Sequence, residues 1–94
     1  MSLDKVRDEI SRVDDDILLL LARRLDLACL VLEEKRKLRL PISDERQNEL
    51  VLKRAMERAI ELNMDPAAVK EIFAAIVRMS IERQHEMAGE GNLP

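Results

Sequence analysis

The sequence is almost free of aromatic residues. It has no tryptophan or tyrosine and a single phenylalanine, Phe73, and only 2 of its 94 residues are glycine. A chain rich in Leu, Ala, Glu, Lys and Arg with so little glycine favours long helices over sheets. Aromatic platforms for stacking bases are missing and the formal net charge is −3. These two features argue against a nucleic-acid binder.

Cysteine and histidine each occur once, as Cys29 and His85. A lone cysteine forms no internal disulfide, and its apolar neighbours favour a small core residue. His85 has no second ligand at metal-binding spacing, so we expect a surface residue and predict no metal site. No apolar run approaches the roughly 18 residues that span a bilayer. The N-terminus also lacks the layout of a secretory signal, so we expect no membrane contact and a cytoplasmic location.

A heptad pattern of apolar residues runs from Leu3 to Leu38. Neither proline nor glycine interrupts it, so the pattern predicts one helix, roughly 50 Å long. A compact domain of this length has a radius of gyration of only ~13 Å, and two shorter helices cannot cover such a rod. We therefore expect a second copy of the chain to cover it. The main seam consists of Leu3, Ile10, Ile17, Arg24, Val31 and Leu38, and the companion seam of Val6, Val13, Leu20, Leu27 and Glu34.

Two shorter helices are predicted in the rest of the chain. Ser43 or Asp44 is a suitable cap for the second helix, and Asp65 followed by Pro66 is a typical start for the third. The expected fold is therefore all-α, with three helices, one of them very long. We predict one helical domain over residues 1–88 and a flexible tail over residues 89–94, where two glycines occur.

Two cations of the first helix lie on nearly the same face. Arg24 occupies a seam position that neighbouring turns fill with Ile17 and Val31. It either sets the register of a helix interface, extends to solvent, or binds a carboxylate through its planar guanidinium. Lys35 follows after about three turns, roughly 17 Å along the helix axis. Together they could hold a small anion, although Lys35 also belongs to a charged run typical of a solvated surface.

Three further polar residues allow two interpretations each. Arg7 lies roughly 25 Å from Arg24 along the same helix, so the two cannot share a site within one chain. In an antiparallel dimer the partner's Arg7 could reach that site, and otherwise Arg7 is an ordinary surface residue. Ser80 and Gln84 extend the apolar stripe of the third helix. They either offer hydrogen bonds to a ligand or mark where the stripe ends in solvent.

These positions together resemble the all-helical chorismate mutases over about residues 3–88. No single motif carries the resemblance, which depends on an ordered set at ungapped spacing. The matching segments are Val6-Arg7-Asp8-Glu9-Ile10 with Val13-Asp14, Leu20 through Ala28 with Arg24, Lys35 with the turn Leu40-Pro41-Ile42-Ser43-Asp44, and Ile72-Phe73 through Ser80 and Gln84.

The resemblance implies an intertwined homodimer with two shared active sites. Such a dimer rearranges chorismate to prephenate without a cofactor or a covalent intermediate. Arg24 and the partner's Arg7 would bind the two carboxylates of the substrate, and Lys35 and Gln84 would hydrogen-bond its ether oxygen. The other positions that the resemblance assigns to the substrate are Asp44, at the ring hydroxyl, and Ser80, near a carboxylate.

The sequence departs from the family pattern after the turn. The family usually has Asp-x-x-Arg-Glu, whereas residues 44–48 read DERQN. Ungapped alignment places Gln47 at the arginine and Asn48 at the glutamate, so both are candidate substrate-binding residues without charge. A slip of one residue would offer Arg46 instead, which points about 100° away on an undisturbed helix.

Two other functions remain open on the sequence. An isochorismate-pyruvate lyase has the same fold and a similar cationic cavity, and its substrate differs from chorismate in hydroxyl position, so Asn48 bears on that choice. A non-catalytic helical dimer or regulatory module is the second alternative. In that case neutral substitutions of Arg24 and Lys35 would abolish no activity.

Overall fold

The computed structural model describes residues 2–89, and this part of the chain is all-helical without a strand. Helix α1 spans Leu3–Leu38, α2 spans Glu45–Glu61 and α3 spans Pro66–Met87. The predicted all-α class with one very long helix is therefore confirmed. Residues 90–94 of the predicted tail lie outside the described part. None of the described helices combines the length and hydrophobicity needed to cross a membrane.

Short polar side chains fix the starts of α2 and α3. Asp44 accepts a hydrogen bond from the backbone N–H of Gln47 at 3.2 Å. Asp65 accepts one from the N–H of Ala67 at 3.0 Å, and Pro66 occupies the first turn of α3. Each cap satisfies an N–H group that has no partner inside its helix. The caps thereby hold the ends of the two loops that lead into α2 and α3.

Helix α1 ends in a tight hydrogen-bonded turn. Arg39 has a φ of 56°, in the left-handed region. Its N–H donates to the Arg36 carbonyl at 3.2 Å, and the Leu40 N–H donates to the Lys35 carbonyl at 2.9 Å. This pair of bonds is the Schellman motif, which satisfies carbonyls that the helix leaves unpaired. The turn ends α1 at Leu38, about one helical turn beyond Lys35, and leads the chain toward α2.

Helix α3 packs against both other helices, whereas α1 and α2 do not pack on each other. Few of the described side chains are buried, and the buried apolar ones are Ala28, Leu32, Ala59 and Val69. The protein is elongated, with a radius of gyration of 16.5 Å and a longest dimension of 54 Å. A compact chain of this length would have a radius of gyration of about 13 Å. Helix α1 therefore extends well beyond the other two helices.

The predicted seam of α1 is exposed in the single chain. Ile17 is 50% exposed and Leu20 is 62% exposed, although both lie near the middle of the helix. An apolar surface of this length is uncommon on a monomer and is typical of an interface. The exposed large apolar residues of α1 are Leu3, Val6, Ile10, Val13, Ile17, Leu18, Leu19, Leu20, Leu27, Leu30, Val31 and Leu38.

Candidate active site

A cavity of about 270 Å³ lies between the C-terminal half of α1, the start of α2 and the end of α3. It forms because α1 and α2 pack on α3 but not on each other. Its volume is near the lower end of the range for small-molecule sites. Aliphatic side chains make up much of its wall, namely Leu27, Ala28, Val31, Ile42, Val51, Val77 and Ile81.

The polar groups of this cavity carry only positive charge among the described residues. Two cations line it and no carboxylate does. Such a lining attracts a small anion, and cation-to-carboxylate hydrogen bonds are stronger in apolar surroundings. No cluster of three or more potential metal ligands occurs within residues 2–89. The polar lining residues are Arg24, Lys35, Gln47, Asn48, Ser80 and Gln84.

Arg24 is held in place from α3. Its Nη1 donates to Ser80 Oγ at 2.5 Å, and Ser80 Oγ in turn donates to the Ile76 carbonyl at 3.2 Å. Ser80 is itself buried. A guanidinium has five N–H donors, so most of the Arg24 donors remain for a ligand. The serine therefore orients the arginine, and its own proton is already donated to the backbone.

Lys35 is anchored by the loop that follows α1. Its Nζ donates to the backbone carbonyl of Ile42. An ammonium group has three N–H donors, so two remain available inside the cavity. The Ile42 carbonyl could not be predicted as a partner of Lys35, because every residue has a carbonyl and only the path of the loop brings this one to the lysine.

Gln84 brings an unpaired polar atom to the cavity. The residue is 5% exposed, and its Oε1 is buried with no hydrogen-bond partner among the described residues. Leaving a buried acceptor unpaired costs about 1–3 kcal/mol. A ligand that fills the cavity can satisfy this amide, which also presents N–H donors. The sequence pattern left open whether Gln84 faces solvent, and the structure shows a buried residue.

The α2 wall contains Gln47 and Asn48 but not the alternative cation. Gln47 and the half-buried Asn48 line the cavity. Arg46 and Asp44 instead line a neighbouring depression that also includes Lys35. Asp44 is exposed and uses Oδ1 to cap α2, so the single chain does not bring it into the cavity, in contrast to the role that the resemblance implies. Capping holds this carboxylate at the helix start.

Arg7 is remote from the cavity within one chain. It is exposed on the N-terminal half of α1, and residues 2–20 of that segment are all exposed. The separation from Arg24 predicted from helix geometry therefore holds, because α1 is continuous from Leu3 to Leu38. Of the eight candidate residues, the structure brings six together and leaves Arg7 and Asp44 outside.

Comparison with known proteins identifies the family. A search of the curated proteins finds no match to the chain. The family described as chorismate mutase type II matches residues 6–85, a span that contains most of α1, all of α2 and nearly all of α3. The match therefore covers the whole cavity as well as Arg7. On this evidence the chain belongs to the chorismate mutase type II family.

Proposed function

We propose that the protein is an isomerase that converts chorismate to prephenate in the biosynthesis of aromatic amino acids. The observation that carries this proposal is the cavity in which Arg24, Lys35 and the unpaired Gln84 amide converge in a family member. Chorismate carries two carboxylates, and the lining supplies cations without a competing carboxylate among the described residues. No covalent step or cofactor is part of this proposal.

The proposed mechanism depends on shape and electrostatics. The reaction requires the compact diaxial conformer of chorismate, and a small cavity that fixes both carboxylates favours that conformer. Negative charge develops on the ether oxygen as its bond to carbon breaks. Lys35, held by the Ile42 carbonyl, and the Nε2 amide of Gln84 are the donors that we assign to this oxygen. Donors already in position stabilise this charge more in the transition state than in the substrate.

The second carboxylate needs a cation that one chain does not supply. Arg24 is fixed by Ser80 and can bind one carboxylate in a bidentate manner. We assign the other carboxylate to the partner's Arg7. Arg7 is remote from the cavity of its own chain, so it is available only to the cavity of a second copy. The exposed apolar seam of α1 supports a homodimer that brings Arg7 to the cavity of the other subunit.

A direct assay tests the activity. The purified protein is mixed with chorismate, and the loss of chorismate absorbance is followed together with the appearance of prephenate. We expect turnover by the parent and a loss of orders of magnitude in the Arg24→Ala variant. Arg36→Ala is the matched control, because Arg36 is exposed on the same helix and does not line the cavity. A folded parent protein without activity on chorismate would contradict the proposal.

One feature of the α2 wall makes isochorismate the second substrate to test. Asn48 lies at the position where the family usually has a glutamate near the ring hydroxyl, and its carboxamide both donates and accepts hydrogen bonds. Chorismate and isochorismate differ in the position of that hydroxyl. Formation of salicylate and pyruvate from isochorismate, in preference to prephenate from chorismate, would favour the lyase.

A further inference from the structure

The seam of α1 is left open because α3 covers a different face of the helix. The better covered apolar residues of α1 are Leu21, Leu25, Ala28, Cys29 and Leu32, and none of them belongs to the two seams. The apolar seam residues lie beside this face and are 38–67% exposed, whereas Arg24 of the main seam is half-buried. An unpartnered apolar seam with heptad spacing is the surface that pairs with another helix in a coiled coil.

The charges of α1 are divided between its two halves. Acidic residues outnumber basic ones in the N-terminal half, and basic residues outnumber acidic ones in the C-terminal half. An antiparallel pair of such helices places unlike halves together, which favours a second copy of α1 as the occupant of the seam. The charged residues are Asp4, Lys5, Arg7, Asp8, Glu9, Arg12, Asp14, Asp15 and Asp16 in the first half and Arg23, Arg24, Asp26, Glu33, Glu34, Lys35, Arg36 and Lys37 in the second.

A parallel pair of α1 helices is disfavoured by two like-charge contacts. In a parallel coiled coil each seam residue faces its own copy, so Arg24 would lie against the partner's Arg24. The residues that flank the seam would also bring Glu9 near the partner's Asp14. A buried pair of guanidinium groups without a counter-ion is costly.

The charged residues that flank the seam also discriminate among the possible antiparallel registers. Neighbouring registers differ by a shift of one heptad between the two α1 helices. In an antiparallel pair each flank of the seam faces the same flank of the partner. One register places Asp16 against the partner's Asp16 and Asp14 against the partner's Asp14. Another places Arg23 against the partner's Arg23 and Arg7 against the partner's Lys35. Both contain like-charge contacts at the interface.

We propose that two ion pairs between Asp16 and the partner's Arg23 fix the register of the dimer, in which α1 pairs antiparallel with α1 of the second copy. This register lies between the two described above, one heptad away from each. In this register Ile17 packs against the partner's Leu20, so the apolar centre of the seam is buried. Asp16 and Arg23 are both exposed, and neither takes part in an ion pair among the described residues of the single chain. The ion pairs lie on either side of the two-fold axis.

The same register accounts for the shared site. It places the partner's Arg7 opposite Ala28, which lines the cavity between Arg24 and Lys35 along the helix. The charge pattern and the cavity lining are independent features, and this register satisfies both. The inference rests on the proposed shared-site dimer and specifies what aligns its two chains.

Charge reversal followed by mixing tests the register. Asp16→Arg and Arg23→Asp are each expected to raise the dimer dissociation constant about tenfold, because two attractive contacts become repulsive. The full-length chains are compared by sedimentation equilibrium at low salt, with helicity checked by circular dichroism. Asp15→Arg is the matched control, because Asp15 lies next to Asp16 but on the outer face of the helix. Asp16→Asn removes the attraction without repulsion and is expected to have a smaller effect.

An equimolar mixture of the two charge-reversed chains gives the decisive result. Both interface contacts are then attractive only in the mixed dimer. Native mass spectrometry should find that mixed dimers make up well above the roughly half of all dimers that random pairing produces. High salt should remove this preference. Random pairing, or homodimers as tight as the parent, would overturn the register. Because the measurement uses no chorismate, this outcome leaves the catalytic proposal standing, whereas a monomeric parent would overturn both the register and the shared site.

Discussion

Arg24 and Lys35 share one cavity but are expected to act at different stages of the reaction. The Ser80 hydroxyl fixes Arg24, which would bind a carboxylate that is charged in the substrate and in the transition state alike. Such an interaction mainly affects KM, so its loss lowers kcat/KM and removes most of the activity at chorismate concentrations well below the raised KM. Lys35 is fixed by a carbonyl and would face an oxygen that gains charge only as the bond breaks. Its effect therefore belongs mainly to kcat.

The Lys35→Ala variant tests this assignment. We expect kcat to fall by about 10²–10³, the usual cost of removing one donor to a developing oxyanion, with a smaller change in KM. Lys37→Ala is the matched control, because Lys37 is exposed, pairs with Glu34 at 3.2 Å and does not line the cavity. A Lys35→Ala protein with nearly normal kcat would remove this lysine from the mechanism.

The neutral α2 wall predicts a weakened hold on chorismate. Gln47 and Asn48 keep hydrogen-bonding capacity but lack the charges that the family pattern has at these positions. Restoring both charges with Gln47→Arg and Asn48→Glu should raise kcat/KM. Asn48→Glu alone should help less, because it adds an acid without its cation near a dianionic substrate. The comparison uses steady-state kinetics of the parent, the two single variants and the double variant at one pH and salt concentration.

The outcome also bears on the alignment of α2. If the double variant is no better than the parent, then the wall residues do not occupy the positions that we assign to them. Arg46, which lines the neighbouring depression, would then be the better candidate for the missing cation. In that case Arg46→Ala would be the damaging substitution, whereas our account predicts that it is nearly neutral.

At the scale of the helices, the ends of α1 and α2 differ in strain. Arg39 and Asn63 have left-handed φ values of 56° and 58°. An ordinary L-residue pays roughly 1–2 kcal/mol in this conformation, whereas Asn tolerates it better and Gly best. Arg39→Gly should therefore raise the free energy of unfolding by about 0.5–1 kcal/mol, after part of the gain is lost to the greater freedom of glycine in the unfolded chain.

Urea unfolding at a fixed protein concentration measures this effect. The matched control is Asn63→Gly at the equivalent position of α2, where the gain should be smaller because asparagine already fits. The fixed concentration matters because dimerisation contributes to apparent stability. Equal or reversed effects of the two substitutions would show that the left-handed turn at Arg39 is not a source of strain.

The sequence predicted the helices well because their signals are local. The heptad seam, the Asp44 cap and the Asp65-Pro66 start depend only on residues close in the chain. The turn at Arg39 was not predicted, since the usual glycine is absent and the structure uses an arginine instead. The Arg24–Ser80 hydrogen bond was also not predicted, because it joins residues 56 positions apart and depends on how α1 packs on α3.

At the scale of the whole molecule, the long α1 makes the single chain an incomplete structure. The radius of gyration of 16.5 Å and the exposed seam both follow from a helix that projects beyond its partners. The same projection carries Arg7 away from the cavity of its own chain and toward any second copy that covers the seam. Dimer assembly and catalysis are therefore both expected to depend on helix α1.

Complementation between two inactive variants tests the shared site most directly. Arg7→Ala and Arg24→Ala chains should each have almost no chorismate mutase activity alone. A mixed dimer has one site with both arginines and one with neither, so refolding an equimolar mixture should restore about a quarter of the parent activity. If native mass spectrometry confirms the mixed dimer and no activity returns, the account of a site built from two chains is contradicted.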